Sequence, residues 1–272
     1  MNRLFLTLAV AFLSAGSLAG AQDLSAEQMA TFLRTARVVS TRHAGNGITN
    51  SLRAVLTDGT LTHDAHVQTV DEQRNLFQPP QGPIELNFRD SYRYNIAAYH
   101  LARLLGMTNV PVSVERRISG RNAAVTWWVD EVQFDERGRL KQTAAAQDGP
   151  NPQRTSLQIQ SMRLFDEIIQ NRDRNQGNLL WTRDWTLWLV DHTRAFRLGG
   201  ALMRPTQVLR CERAMCDGLR ALTRDGLKQA MAGALSADEI DALLERRDAV
   251  LQQIDGRIAR RGDALVLFTV PR

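Results

Sequence analysis

The chain has 272 residues, 43% of them hydrophobic and 23% charged, and a formal charge of +5. This is ordinary globular composition, free of low-complexity tracts and fixed-period repeats. All but Lys141 and Lys228 of the 34 basic residues are arginines, scattered rather than gathered in a stripe, which argues against a nucleic-acid partner.

The first residues predict export. Arg3 precedes the apolar run Leu4 to Leu13, and Ala19-Gly20-Ala21 forms an A-x-A pattern before Gln22. Residues 1–21 therefore read as a secretory signal peptide, too short and wrongly flanked for a membrane span. No later stretch reaches the ~18 consecutive apolar residues that a spanning helix needs, so no membrane span is expected. The mature protein is expected in the periplasm or outside the cell. Two cysteines, Cys211 and Cys216 in "RCERAMCDG", are too few for a zinc site without a nearby His. In an oxidising compartment they are expected to close a small structural disulfide.

Ser25 to Arg34 predicts a short helix, with Ser25 as N-cap and Gln28 at the capping-box position. Val38 to Ser40 predicts a strand. "RHAGNGITNS" follows, with Gly45 and Gly47. "LRAVLT", Asp58-Gly59 and "TLTHDAHVQTV" predict a hairpin around a two-residue turn. A helix is expected over "RDSYRYNIAAYHLARLLGM", with Tyr92, Ile96, Tyr99 and Leu104 near one stripe and Gly106 as its stop. "VPVSVERRISG" and "NAAVTWWVDEVQF" predict a second hairpin around Ser119-Gly120. Residues 141–154, polar and Gly/Pro-containing, read as a linker.

Beyond the linker the pattern turns helical. Leu157 to Asn171, Leu219 to Gly233 and Ala237 to Arg260 predict helices, the last capped by Ser236. "NLLWTRDWTLWLV" predicts a hairpin turning at Arg183-Asp184. The order is strands with one helix over 22–140, the linker, then helices with one hairpin over 155–272. That is a two-lobed α+β plan, with a ligand cleft expected between the lobes.

The stretch "NRDRNQGNLLWTRDWTLWLVDHTRAF", Asn171 to Phe196, concentrates the chemistry. Asp173, Arg174, Asn175 and Asn178 fall on the loop after a helix. A short hairpin returns the chain to its starting level, so Asn178, which enters it, and Asp191, which leaves it, can share one small volume. An amide oxygen beside a carboxylate suits Mg²⁺, a hard cation that takes oxygen ligands and keeps several waters. Asp173 is then a carboxylate free to meet a substrate hydroxyl.

The spacing of Asp173 and Asn178, followed by Asp191 beyond a hairpin, resembles a kinase catalytic loop. The wording "FDEIIQNRDRNQGN…LWLVDHTRAF" resembles the atypical kinases: phosphoinositide kinases, HipA-like kinases and the secretory-pathway kinases related to the Golgi casein kinase. The resemblance is strongest over Phe165–Phe196 and extends more loosely over Gly45–Val129. It implies a two-lobed protein kinase-like fold, with a β-rich N-lobe carrying one helix and a helical C-lobe. It further implies Asp173 as the catalytic carboxylate, Asn178 and Asp191 as ligands of Mg or Mn, ATP as nucleotide, and a protein or small-molecule acceptor.

The front of the chain departs from that pattern. Gly45 and Gly47 stand where a phosphate loop belongs, but only loosely Gly-rich. No lysine precedes Lys141, so Gln68 falls where a lysine would meet the phosphates, and Asn95 where its glutamate partner would stand. The two are expected to face each other as an amide pair in place of an ion pair, with Arg53 as the nearest substitute charge. His63 and His66, three apart on a strand, point to opposite faces and do not form a metal pair. Trp127-Trp128 falls where the lobes join. Two functions fit: an exported atypical kinase or nucleotidyl-transferring relative, and a pseudokinase that binds a nucleotide, a phosphorylated ligand or a protein without catalysis.

Overall fold

The computed structural model describes residues 24–44, 51–79 and 84–271; the expected signal peptide and the Gly45 and Gly47 loop lie outside them. Helix α1 (Ala26–Thr35) starts where Ser25 and Gln28 cap each other. The Ser25 N–H donates to Gln28 Oε1 at 2.8 Å and the Gln28 N–H to Ser25 Oγ at 3.3 Å. Strands β1 (Arg37–His43), β2 (Leu52–Thr57) and β3 (Thr62–Gln68) follow. A separate ribbon, β4 (Asp71–Phe77) with β5 (Glu85–Ser91), leads into α2 (Arg93–Leu104). Strands β6 (Ser113–Ile118) and β7 (Arg121–Trp127) complete an antiparallel sheet of order β1-β2-β3-β7-β6.

Alternation gives this sheet two unlike faces. Ala54, Leu56, Ala65, Val67, Val125 and Trp127 are buried on one, where Phe32 of α1 meets Trp127 edge-on at 5.7 Å. Arg53, Asp64, His66 and Gln68 line the other, His66 opposite Arg53 in the register. His63 goes with the first face: its ring stacks on Trp127 at 3.8 Å and its Nε2 lies 2.8 Å from Asp130.

The rest of the chain is mainly helical. It runs β8 (Val132–Asp135), α3 (Glu136–Leu140), α4 (Ala144–Gln147), α5 (Pro152–Ile169), β9 (Leu179–Thr182) and β10 (Leu187–Leu189). Then come β11 (Cys211–Glu212), α6 (Arg213–Ala221), α7 (Arg224–Ala230), α8 (Ala237–Arg261), α9 (Asp263–Val266) and β12 (Leu267–Phe268). Strand β8, which precedes the expected linker, already pairs with β9 in a three-stranded β10-β9-β8 sheet. None of the described helices is long and apolar enough to cross a membrane.

The expected turns divide. Ser119-Gly120 is a two-residue turn with φ of 49° and 81°, the left-handed pair that a tight hairpin requires. The Asp58-Gly59 turn is wider: Thr57 pairs with Thr62, and Asp58 Oδ1 accepts the N–H groups of Thr60 and Leu61. The predicted helix from Leu219 to Gly233 is two, α6 and α7, because Thr223 caps a new start through the Gly226 N–H. Leu104, placed on the buried stripe of α2, is exposed, while Tyr92, Ile96 and Tyr99 are buried. The β4–β5 ribbon has no counterpart in the sequence reading.

The Cys211–Cys216 bridge is also corrected. Both are free, buried thiols. Cys211 Sγ donates to the Glu212 carbonyl at 3.3 Å, and Arg220 Nη1 donates to Cys216 Sγ at 2.7 Å. The neighbouring Cys211, helped by Arg220, brings the Cys216 thiol down to about 7, while Cys216 and burial push the Cys211 thiol up.

The helical part is stitched by Arg246 of α8, whose side chain is fully buried. Its Nε donates to the Ile168 carbonyl at 2.8 Å, and its Nη1 to those of Arg197 at 2.8 Å and Gly199 at 2.5 Å. Burial lowers its pKa to about 10, which still leaves it charged at neutral pH. Arg246→Met should lower stability by about 3 kcal/mol or more, since each buried acceptor left unpaired costs about 1–3 kcal/mol. Urea unfolding checks this, with Arg183→Met on the exposed hairpin expected within about 0.5 kcal/mol of the parent.

Candidate active site

Helix α5 ends at Gln170, which turns left-handed at φ 48° and ψ 52°. The chain then folds back: the Asn171 N–H donates to the Asp166 carbonyl at 3.0 Å, and Asn171 Oδ1 accepts the Asp173 N–H at 3.1 Å. Asn175 Oδ1 accepts the Gly177 N–H at 2.9 Å, and its carbonyl accepts the Asn178 N–H at 3.1 Å. Asparagine side chains supply this loop with the turns that its backbone would otherwise lack.

One guanidinium fixes the loop. Arg174 and Asp166 are both nearly buried, at 7% and 6% side-chain exposure. Arg174 Nε meets Asp166 Oδ2 at 3.0 Å and Nη2 meets Oδ1 at 3.0 Å. Its Nη1 donates to the carbonyls of Asn178 at 3.2 Å and Val190 at 2.7 Å. The Val190 N–H in turn donates to the Asn178 carbonyl at 3.1 Å. The hairpin β9–β10 thus starts and ends on the same cation, with Asn178 and Asp191 at its two feet.

Asp191 has φ 54°, a conformation that costs non-glycine residues energy and that Asp tolerates better than most. Its neighbours hold it there. The His192 N–H donates to Asn95 Oδ1 of α2 at 2.8 Å. The Thr193 hydroxyl donates to Asp191 Oδ1 at 3.1 Å, and the Ser91 N–H to the Thr193 carbonyl at 2.8 Å. The His192 ring lies edge-on to Phe165, and burial, with Arg174 nearby, keeps it well below the usual imidazole range and therefore neutral.

Negative charge accumulates here. Asp173 sits at the rim, about half exposed, with Arg194 Nη1 3.9 Å from its Oδ1. Its proton affinity is raised, first by partial burial and then by Asp191 and Glu85, against the pull of Arg194 and Arg174. Asp90 is 7% exposed, and its Oδ1 is shut off from solvent without a hydrogen-bond partner. Burial raises its pKa, opposed by Thr193 and reinforced by Asp191. Arg194 and Arg197 divide the two oxygens of Glu85, at 2.6 and 2.8 Å, and both lie over the Phe88 ring.

The sheet faces this region through His66. The pKa of its half-buried ring is lowered by desolvation, which the nearby charge of Asp191 opposes. Arg53 and Gln68 share that face. Arg53 Nε donates to Asp64 Oδ2 at 2.6 Å, and its guanidinium lies 4.1 Å from the Trp128 ring centroid, so Asp64 already balances its charge. The Gln68–Asn95 amide pair is not made. Asn95 Oδ1 is taken by His192, and its Nδ2 is buried without a partner among the described residues. The left-handed turn at Asp191 aims the next N–H at α2, and that backbone donor has the prior claim.

The structure therefore gathers Asp173, Asn178, Asp191 and Asn95, with Arg53 and Gln68 on the facing sheet; Gly45 and Gly47 lie outside the described residues. Sequence reasoning missed Asp90, Glu85, Arg194 and the brace partner Asp166. A signal existed for Asp166: a charge inside the apolar run "LFDEII" must be paired to be buried. Among the described residues no three His, Cys, Asp or Glu side chains group as a metal site. The donor set is instead an amide and a carboxylate at Asn178 and Asp191, with the unpartnered Asp90 oxygen close by. An amide and a carboxylate with an unsatisfied carboxylate oxygen nearby fit a hard divalent cation that keeps its waters.

Arg194 is the cation nearest Asp173, so its removal should raise the proton affinity of that carboxyl. In Arg194→Gln the Asp173 carboxyl carbon, followed by NMR, should titrate at higher pH than in the parent. An unchanged or lowered midpoint would show that Arg194 does not act on Asp173.

No protein-family model and no curated protein matches the chain. Among solved structures it is similar to the crystal structure of a Helicobacter pylori proinflammatory kinase, CtkA. The TM-score is 0.51 at 10% identity, over 87% of this chain and 98% of that one. At that identity the likeness is one of fold. The β-rich N-terminal sheet and the helical C-terminal part form an α+β, kinase-like fold.

Proposed function

We propose that the protein is an exported, atypical kinase-like phosphotransferase. Its front part, 22–140, and back part, 155–272, are joined through 141–154. Asn178 and Asp191 hold Mg or Mn with ATP, and Asp173 orients and deprotonates the acceptor hydroxyl. The metal-bound nucleotide supplies the phosphoryl group. The observation that carries this reading is the β9–β10 hairpin, whose two feet, at Asn178 and Asp191, meet on Arg174, with Asp173 on the same loop. An amide oxygen and a carboxylate set together suit a hard divalent cation. Asp173 stands at the rim of the site, as an acceptor-facing base must.

Each residue has one task in this account. Arg174 keeps the feet of the hairpin together, so that the two metal-binding oxygens stay at a fixed spacing. Asn95 holds the His192 N–H and thereby the turn at Asp191. Arg194 keeps Asp173 ionised and able to accept a proton. Arg53 and Gln68 border the nucleotide on the sheet side.

The absence of any lysine before Lys141 and the pairing of Arg53 with Asp64 favour a second reading. In it the same site binds a metal–nucleotide, another phosphorylated ligand or a protein without transferring phosphate. With one fewer positive charge facing the phosphates, the transfer step has less electrostatic support.

Thermal unfolding with Mg·ATP or Mn·ATP tests the common part. Ligand at a hundred times its dissociation constant should stabilise the protein by about 2.7 kcal/mol. Asp191→Ala should abolish that shift, because it removes the charged metal ligand. Gln68→Ala should reduce it by no more than ~0.5–1.5 kcal/mol, the worth of one neutral hydrogen bond. A shift that survives Asp191→Ala would place the nucleotide elsewhere. Transfer of labelled γ-phosphate to water or protein, lost in Asp173→Asn, then separates the kinase from the binding module. Export has its own test: N-terminal sequencing of the mature protein should begin near Gln22, and an N-terminus at Met1 would refute it.

A further inference from the structure

The Arg174–Asp166 pair also borders a partly open pocket of about 680 Å³, at whose mouth Arg163 and Arg204 are exposed. Its walls come from α5, from the stretch around Arg139 and Asp148, and from residues 204–210. That volume suits a small molecule. Five arginines line it, and two of them are committed: Arg139 to Glu136 and Arg174 to Asp166. Arg163, Arg204 and Arg210 form no ion pair with any described residue. Arg210 is half-buried over the Phe268 ring, and its Nε is shut off from solvent without a hydrogen-bond partner.

The acids of the lining cancel this charge only in part. Asp166 is held by Arg174, and Glu167 Oε2 accepts the N–H groups of Met203 at 2.7 Å and Arg204 at 3.2 Å. Asp148 and Glu167 therefore remain as carboxylates without an ion pair, against three arginines. The other lining residues include Ile159, Met162, Val208 and Leu209, so three arginines without an ion pair and four apolar side chains line the same cavity. Guanidinium forks match the paired oxygens of phosphate and carboxylate.

We propose that this cavity binds a small amphipathic anion, its phosphate or carboxylate head taken by Arg163, Arg204 and Arg210 and its short apolar body lying against Ile159, Met162 and Val208. The site uses none of Asp173, Asn178 and Asp191, so the proposal stands independently of the phosphotransfer reading.

The test is calorimetric titration of the whole mature chain with octyl phosphate, octanoate, octanol and inorganic phosphate, each below any micelle concentration. Octyl phosphate or octanoate should bind saturably at one site, and whichever binds more tightly identifies the head. Octanol and inorganic phosphate should each bind at least tenfold more weakly. The Arg163→Ala, Arg204→Ala, Arg210→Ala variant should weaken the amphipathic probe at least tenfold. Arg210→Gln alone should weaken it severalfold, which keeps the test decisive if the triple variant does not fold. Asp191→Ala should leave it unchanged. Binding of neither anion, equal binding of octanol, or indifference to the arginine variants would overturn the proposal. A loss in Asp191→Ala would do the same, since the probe would then occupy the other site.

Discussion

The candidate site depends on one buried cation. Arg174 lies in the loop that it organises, and four of its five N–H groups are spread over three partners: the Asp166 carboxylate and the carbonyls of Asn178 and Val190. A lysine could not make these bonds together, because it offers a point charge where this site needs a planar fork. The desolvation of Arg174 is offset only because Asp166 is ionised and aligned; either partner alone would be a buried, uncompensated charge. The same ion pair that closes the candidate active site from behind also forms the front wall of the arginine-lined cavity. The loop and that cavity therefore share a single structural element.

From this brace the geometry follows outward. The hairpin returns to its origin because both its feet bind one guanidinium. Asp191 can remain left-handed because the next two residues are fastened, His192 to α2 and Thr193 to the end of β5. Since α2 and β5 belong to the sheet-rich part and Asp191 to the helical part, these hydrogen bonds also tie the two parts together at the site. Glu85, clamped by Arg194 and Arg197, adds a second tie a few residues further on. A loss of order in the ribbon β4–β5 would thus reach Asp173 through Arg194.

Much of this was legible in the sequence because it is local. The hairpin between Asn178 and Asp191, the caps at Ser25 and Ser236, and the tight turn at Ser119-Gly120 rest on short-range rules of turn and cap chemistry. The partners of those residues were not legible, because they come from distant segments. Asn95 was read as one half of an amide pair with Gln68, whereas a backbone N–H nearly a hundred residues away claims its oxygen. The ribbon β4–β5 left no trace because "DEQRNLF" is exposed almost throughout and shows no apolar alternation. Asp90 gave no signal at all: its burial beside Asp191 is a property of the folded chain alone. The cysteines, five apart, suited a small loop, but they are not bridged, and their sulfurs hydrogen-bond to Glu212 and Arg220 instead.

The central claim is that a divalent metal and its nucleotide bind between the feet of the β9–β10 hairpin. Paramagnetic broadening by Mn²⁺ measures this most directly. In isotope-labelled protein, substoichiometric Mn·ATP should broaden the resonances of Asn178, Asp191 and Asp90 first, with Asp173 next and the α8 helix unaffected. Broadening that is absent, or centred away from Asn178 and Asp191, would contradict the account.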